Sequence, residues 1–183
     1  ENADLTDGGK LFLRWRREGY LAARGERFDI GAATDAALAR IAAGAPAAEA
    51  GGHRETDNGN GSLMRILPVA LRFADTRPQV LAAQAMNWSA VTPRHPRSQL
   101  ACAYYCLLAQ QLLQGASPEF AMASVAREFR AMLDSFPGEQ RQFERILDPG
   151  FSNTARAQIR SGGYVIETLE AAFGVRSKPL RNG

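Results

Sequence analysis

Ten consecutive residues, Asp57-Asn58-Gly59-Asn60-Gly61-Ser62-Leu63-Met64-Arg65-Ile66, place two Asn-Gly pairs directly before an apolar, helix-periodic run. Glycine lets the backbone visit positive φ and approach a ligand without a clashing Cβ. A helix starting near Ser62 would aim the free N–H groups of its first turn, and the positive end of its dipole, at whatever sits in front of it. A phosphate-bearing ligand is the natural occupant of such a loop. The same residues also fit an ordinary Asn-Gly turn with Asn60 or Ser62 as N-cap.

The elements that must position this loop read as helices. Leu5, Leu11, Phe12 and Trp15 recur at near-helical spacing and predict a helix from about Thr6 to Glu18. Gly19, Tyr20 and Gly25 break it, and Thr34 is a plausible N-cap for a helix carrying Ala37, Leu38 and Ile41. The stretch from Ala45 to Gly59 has no periodicity and reads as a mobile surface connection that contains His53. A third helix is expected from Ser62, burying Leu63, Ile66, Val69, Ala70 and Phe73, with Pro68 kinking it or confining its strain to one turn.

Pro78 suits the first turn of a helix reaching about Trp88, and Pro96 starts the longest apolar-periodic segment, which runs to Gln114. Ser117-Pro118-Glu119 supplies a cap, a first-turn proline and a dipole-matched carboxylate for a helix ending near Phe136. Shorter helices are expected from Gly138 to Leu147, Ala155 to Arg160 and Val165 to Phe173. Few segments alternate or are β-branched, so no strand is expected and the fold class is all-α.

At 183 residues the chain suits one domain with a proper core. The 45% apolar and 22% charged composition is that of an ordinary globular protein. The net charge of +3 is small. Short basic clusters, Arg14-Arg16-Arg17 and Arg94-Arg97, read as solvated helix faces, so no nucleic-acid partner is expected. Cys102 and Cys106 lie four apart on one face of an apolar helix, where two reduced core thiols fit better than a disulfide or a zinc site. No apolar run is long enough to cross a membrane and no signal peptide opens the chain, so the cytoplasm is the expected location.

Three segments together resemble one family. Trp15-Arg16-Arg17-Glu18-Gly19-Tyr20-Leu21 with Phe28-Asp29-Ile30-Gly31 is the first, and Asn58 to Ile66 with Pro68 is the most specific. Ser161-Gly162-Gly163-Tyr164-Val165-Ile166-Glu167-Thr168-Leu169-Glu170-Ala171-Ala172 is the third. In order and spacing they resemble the ADP-ribosylglycohydrolases, including the dinitrogenase reductase-activating glycohydrolases. The resemblance implies a compact, orthogonal multi-helix domain over residues 1–175, lacking the first and last family helices, with a disordered tail at 176–183. It implies a hydrolase that removes ADP-ribose from a modified side chain or a small acceptor, with magnesium or manganese as cofactor.

By the same resemblance, Asn58, Gly59, Asn60, Gly61 and Ser62 hold the ADP-ribose moiety, Met64 lines the pocket, and Gly163 and Tyr164 pack near the adenine or ribose. Arg65 pairs with a phosphate or with a core carboxylate. Asp57 is the carboxylate placed for the scissile ribose or the modified arginine, and equally fits a turn carboxylate. Relatives commonly carry Thr-His where this chain has Thr92-Pro93, so a substrate-side histidine is replaced and His95 is the stand-in, unless it is simply a helix cap.

The family's metal ligands lie in a Thr-Asp-Asp-Thr motif on an early helix and a Gly-Asp-Asp-Thr-Asp-Thr-like motif near the C-terminus. Neither motif occurs in these 183 residues, so no residue here is assigned to metal. The chain therefore reads as an internal fragment, or as a truncated, inactive relative that at most binds ADP-ribose. Missing metal helices would expose the apolar faces of Leu63–Phe73 and Leu100–Leu108, which predicts self-association.

Overall fold

A computed structural model describes residues 4–174, and among them every regular element is helical. The eight α-helices are α1 Leu5–Glu18, α2 Ala32–Ala42, α3 Leu67–Arg72, α4 Pro78–Ala90, α5 Pro96–Leu113, α6 Pro118–Leu133, α7 Gln140–Phe143 and α8 Val165–Gly174. The proposed tail at 176–183 lies outside the described residues.

Helix α5 is the axis of the fold, packing against α3, α4, α6 and α8. Its apolar residues surround it instead of forming a single stripe, as expected of a central helix. Leu100, Cys102, Tyr104 and Cys106 are fully buried. Around it lies an aromatic chain in which Tyr104 meets Phe129 edge-on at 5.1 Å and Phe129 meets Phe143 at 5.2 Å. Such pairs add to the burial of their own area. Both cysteines are free thiols, and burial pushes each thiol pKa up.

Helix α1 reaches this core over a glycine face. A Cβ at Gly8 would stand 2.4 Å from the Trp88 ring of α4, and one at Gly9 would stand 3.0 Å from Ala47. Phe12, one turn on, meets Trp88 edge-on at 6.4 Å. The helix ends at Gly19, whose φ of +66° closes the last turn through its N–H to the Trp15 carbonyl.

Four expectations are corrected. The segment from Ala45 to Gly59 is pinned down, not a mobile connection. It forms 3₁₀ turns at Ala47–Glu49 and Glu55–Asp57, and Gly51 donates to the Ala90 carbonyl at 3.1 Å. Its small residues allow close packing: a Cβ at Gly51 would lie 2.2 Å from that carbonyl oxygen. Second, no continuous helix starts at Ser62. A 3₁₀ turn at Leu63–Arg65 precedes α3, which restarts around Pro68 because proline has no N–H to continue the ladder. Third, the faces expected to be exposed are largely covered: Leu100, Leu107 and Leu108 are core residues, as are Leu63 and Ile66. On α3 the exposed large apolar residues are Leu67 and Leu71. Fourth, the cap of α2 is Gly31, without a side-chain bond, and Thr34 sits inside the helix.

Candidate functional site

The first described part of the chain and the glycine loop face each other across a cavity of about 880 Å³. One wall is apolar and aromatic, with Leu11, Phe12 and Trp15 from α1 and Tyr20 and Leu21 from the following loop. The opposite wall is polar and carries Gly59, Asn60, Gly61, Arg65 and Thr92. Asp29 and Thr34 enter from the side that joins α1 to α2. A volume of this size suits a ligand larger than a single nucleotide base.

The polar wall is held by an isolated antiparallel bridge between Gly59 and Tyr164, the one contact of β type among the described residues. Asn60 donates its N–H to the Gly163 carbonyl at 2.9 Å, and Val165 donates to the Asn58 carbonyl at 3.0 Å. The Asn60 amide side chain donates to Thr168 Oγ1 at 3.0 Å. Residues 105 positions apart thus form one surface, with α8 behind it.

The loop leads into a 3₁₀ turn at Leu63–Arg65 and not directly into an α-helix. The N–H groups of Gly59 and Asn60 are spent on the carbonyls of Asp57 and Gly163, and no α-helix begins before Leu67. Positive charge at the cavity comes from Arg65. Its guanidinium donates to the carbonyls of Gly61 (2.7 Å) and Thr92 (2.9 Å), and to the Thr92 hydroxyl. It stands 5.3 Å above the Phe12 ring, a cation–π arrangement. No carboxylate pairs with it among the described residues, and crowding by protein lowers its pKa to about 10. Its surface nevertheless stays partly open, because it faces the cavity.

Within the string Asp57 to Arg65, the structure separates two groups. Gly59, Asn60, Gly61, Met64 and Arg65 line the cavity, and so does Gly163. Asp57, Asn58 and Ser62 turn into the protein. Asp57 closes its own 3₁₀ turn: Oδ2 accepts from the Arg54 backbone at 3.0 Å and from Arg54 Nε at 3.2 Å. Those bonds hold its pKa below the ordinary carboxylate value despite its burial. Of the two readings of Asp57, its surroundings are those of the turn carboxylate. Asn58 Oδ1 accepts from the Ser98 hydroxyl at 2.9 Å, and Ser62 Oγ accepts from Ser89 at 3.1 Å.

His95 is a cap and not a cavity residue. Its Nδ1 accepts from the Arg97 N–H at 3.2 Å, and its Nε2 lies 3.5 Å from Glu55. Pro93, by contrast, does line the cavity. Tyr164 brings only its backbone neighbour Gly163 to the cavity; its hydroxyl accepts from Arg97 Nη1 at 3.0 Å and donates to Gln142 Oε1 at 3.2 Å.

Two features escaped the sequence reading. Asp29 is the one carboxylate on the cavity wall among the described residues. It adopts φ +48°, and Leu21, also on the wall, adopts +60°. Non-glycine residues in this region carry strain of order 1–3 kcal/mol each and concentrate at functional sites. Aspartate tolerates the region better than most, which is the signal its place before Ile30-Gly31 offered. Arg97, expected on a solvated face, is 4% exposed. It forms a bidentate pair with Glu139 (2.7 and 3.3 Å) and also bonds Glu55.

The polar loop, its arginine and the Gly163 contact are the parts of the chain with the most specific sequence. The profile of the ADP-ribosylglycohydrolase family matches residues 2–179. The chain belongs to that family. It is similar to the ADP-ribosylarginine hydrolase Tri1 of Pseudomonas putida (strain GB-1), with 34% identity over 180 residues. It is also similar to the Tri1 hydrolase of Serratia proteamaculans (strain 568), with 29% identity over 172 residues. Each match covers 93% of this chain but only 43% of the relative. The chain therefore spans less than half the length of these relatives.

The family's metal pair finds no fit in these residues. Among the described residues no group of three or more His, Cys, Asp and Glu side chains could hold a metal ion. Asp29 stands without a second carboxylate on the cavity wall, and Asp57 is occupied by Arg54. No helix among the described residues is long and apolar enough to cross a membrane.

Proposed function

We propose that the cavity binds the ADP-ribose moiety of an ADP-ribosylated arginine side chain or a related small acceptor. The observation that carries this reading is Arg65, a cavity-facing cation with no carboxylate partner among the described residues. A charge desolvated by protein is costly unless paired, and a diphosphate supplies the missing partner. The aromatic wall of Phe12, Trp15 and Tyr20 offers ring faces to the adenine. The backbone of Gly59–Gly61 approaches the ligand without side-chain bulk.

Asp29 takes the place that the sequence suggested for Asp57. Its carboxylate accepts hydrogen bonds from the sugar hydroxyls or from the guanidinium of a modified arginine. Similarity to hydrolases named for ADP-ribosylarginine supports that acceptor. We assign ligand binding to these residues and no cleavage step. The 183 residues by themselves bind and do not turn over.

Thermal melting in the presence of ADP-ribose tests this. A ligand that binds only the folded state at a hundredfold excess over its Kd stabilises by about 2.7 kcal/mol, so the melting temperature rises with ADP-ribose. An unchanged melting temperature in millimolar ADP-ribose would remove the reading. Release of ADP-ribose from ADP-ribosyl-arginine by this chain with Mn²⁺ would overturn the division between binding and cleavage.

A further inference from the structure

We infer that Arg97 is a positioning residue for the ligand loop: from the first turn of α5 it fixes the register of the Gly59–Tyr164 bridge. The inference rests on the reading of the cavity given above, and extends it to a residue that does not touch the cavity. Three segments converge on this one guanidinium. Glu55 belongs to the 3₁₀ turn that leads into the glycine loop, Tyr164 is one half of the bridge, and Glu139 precedes α7.

The adjacent Ser98 completes the grip. Its hydroxyl donates to Asn58 Oδ1 at 2.9 Å, while the Asn58 side-chain amide donates to the Glu55 carbonyl at 3.1 Å. Arg97 therefore holds the Tyr164 side of the bridge, and Ser98 the Asn58–Gly59 side. Between them run the two backbone bonds that define the polar wall, Asn60 N–H to Gly163 and Val165 N–H to Asn58. A planar guanidinium suits this task because its five donors are fixed in direction. An ammonium offers three donors from one nitrogen, fewer than the four acceptor atoms of Glu139, Glu55 and Tyr164 that the guanidinium meets.

The charge arrangement agrees. Burial opposes the Arg97 charge, but the bonds to Glu139 and then Glu55 outweigh it and leave the guanidinium firmly protonated. As a cation in the first turn of a helix, Arg97 opposes the helix dipole. Its place there is maintained by the carboxylates that face it.

The test is native-state amide exchange in Tyr164→Phe and Arg97→Lys, read at Asn60 and Val165 and, as controls, at Leu107 and Leu108 in the middle of α5. Tyr164→Phe removes only the hydroxyl that Arg97 holds. Loss of a hydrogen bond to a charged group corresponds to about tenfold or more, so exchange at Asn60 and Val165 should rise by about that factor while the α5 controls keep their protection. The Kd for ADP-ribose should weaken in both variants. Wild-type exchange rates at Asn60 and Val165 in both variants would overturn the inference, as would a uniform rise that includes Leu107 and Leu108. The exchange readout needs no ligand. If the variants show the local effect but the wild-type chain does not bind ADP-ribose, the register role stands and the ligand assignment falls.

Discussion

Arg65 and Arg97 are both enclosed by protein, and they differ in what surrounds them. Arg97 lies among two carboxylates, a tyrosine hydroxyl and a histidine cap. Arg65 has carbonyls, a hydroxyl and a phenyl ring, and no carboxylate among the described residues. In the proposed reading, one residue type serves structure in one place and a ligand in another. A charge balanced within the chain is part of the fold, whereas a charge left unbalanced at a cavity awaits a partner from outside.

The sharpest way to break this comparison is to remove each charge. Arg97→Ala leaves Glu139 buried without its cation and should cost about 3–5 kcal/mol of stability, measured by urea unfolding. Arg65→Gln keeps a donor for the Gly61 or Thr92 carbonyl and removes a desolvated charge, so its stability should change by about 1 kcal/mol or less. Equal losses in the two variants would show that the arginines play the same part.

A further variant probes the aromatic wall, where Phe12 lies under Arg65. Gly8→Ala drives a methyl group into the Trp88 ring and should cost about 1–3 kcal/mol. Because α1 must lift away, the aromatic wall moves and ADP-ribose affinity falls as well. A Gly8→Ala protein with wild-type melting would mean that α1 is not seated on Trp88.

The smallest effect belongs to Asp57. Its folded-state pKa is depressed by Arg54. The stability it contributes is complete above the ordinary carboxylate pKa and is lost as pH falls through the lower folded value. The gap in stability between wild type and Asp57→Asn should therefore be constant near neutrality and close in acid. A gap that stays constant through that acid range would show that the Asp57 carboxylate is not held by the turn.

Much of the helical framework was legible because its signals are local. Pro78, Pro96 and Pro118 each open a helix within the first turn, and the apolar run after Pro96 became the central helix. What stayed hidden depends on distance. The partners of Arg97 lie 42 and 67 residues away, and nothing in its neighbours announces them. The misfit of a cation at a helix N-terminus was the available hint. Ala45 to Gly59 was misread because small residues lack periodicity, although their size is what lets them lie against α4. In the proposed reading the Arg65 side chain provides the charge that a helix dipole was expected to provide, because the α-helix that follows the loop begins only at Leu67.

In the proposed reading, the cavity holds ADP-ribose with its diphosphate against Arg65. Calorimetric titration of ADP-ribose into the wild-type chain and into Arg65→Gln tests it most directly. The account predicts one-to-one binding by the wild type, weakened at least about tenfold in the variant by loss of a charge-assisted hydrogen bond. A wild-type chain that does not bind, or a variant that binds with unchanged affinity, would contradict it.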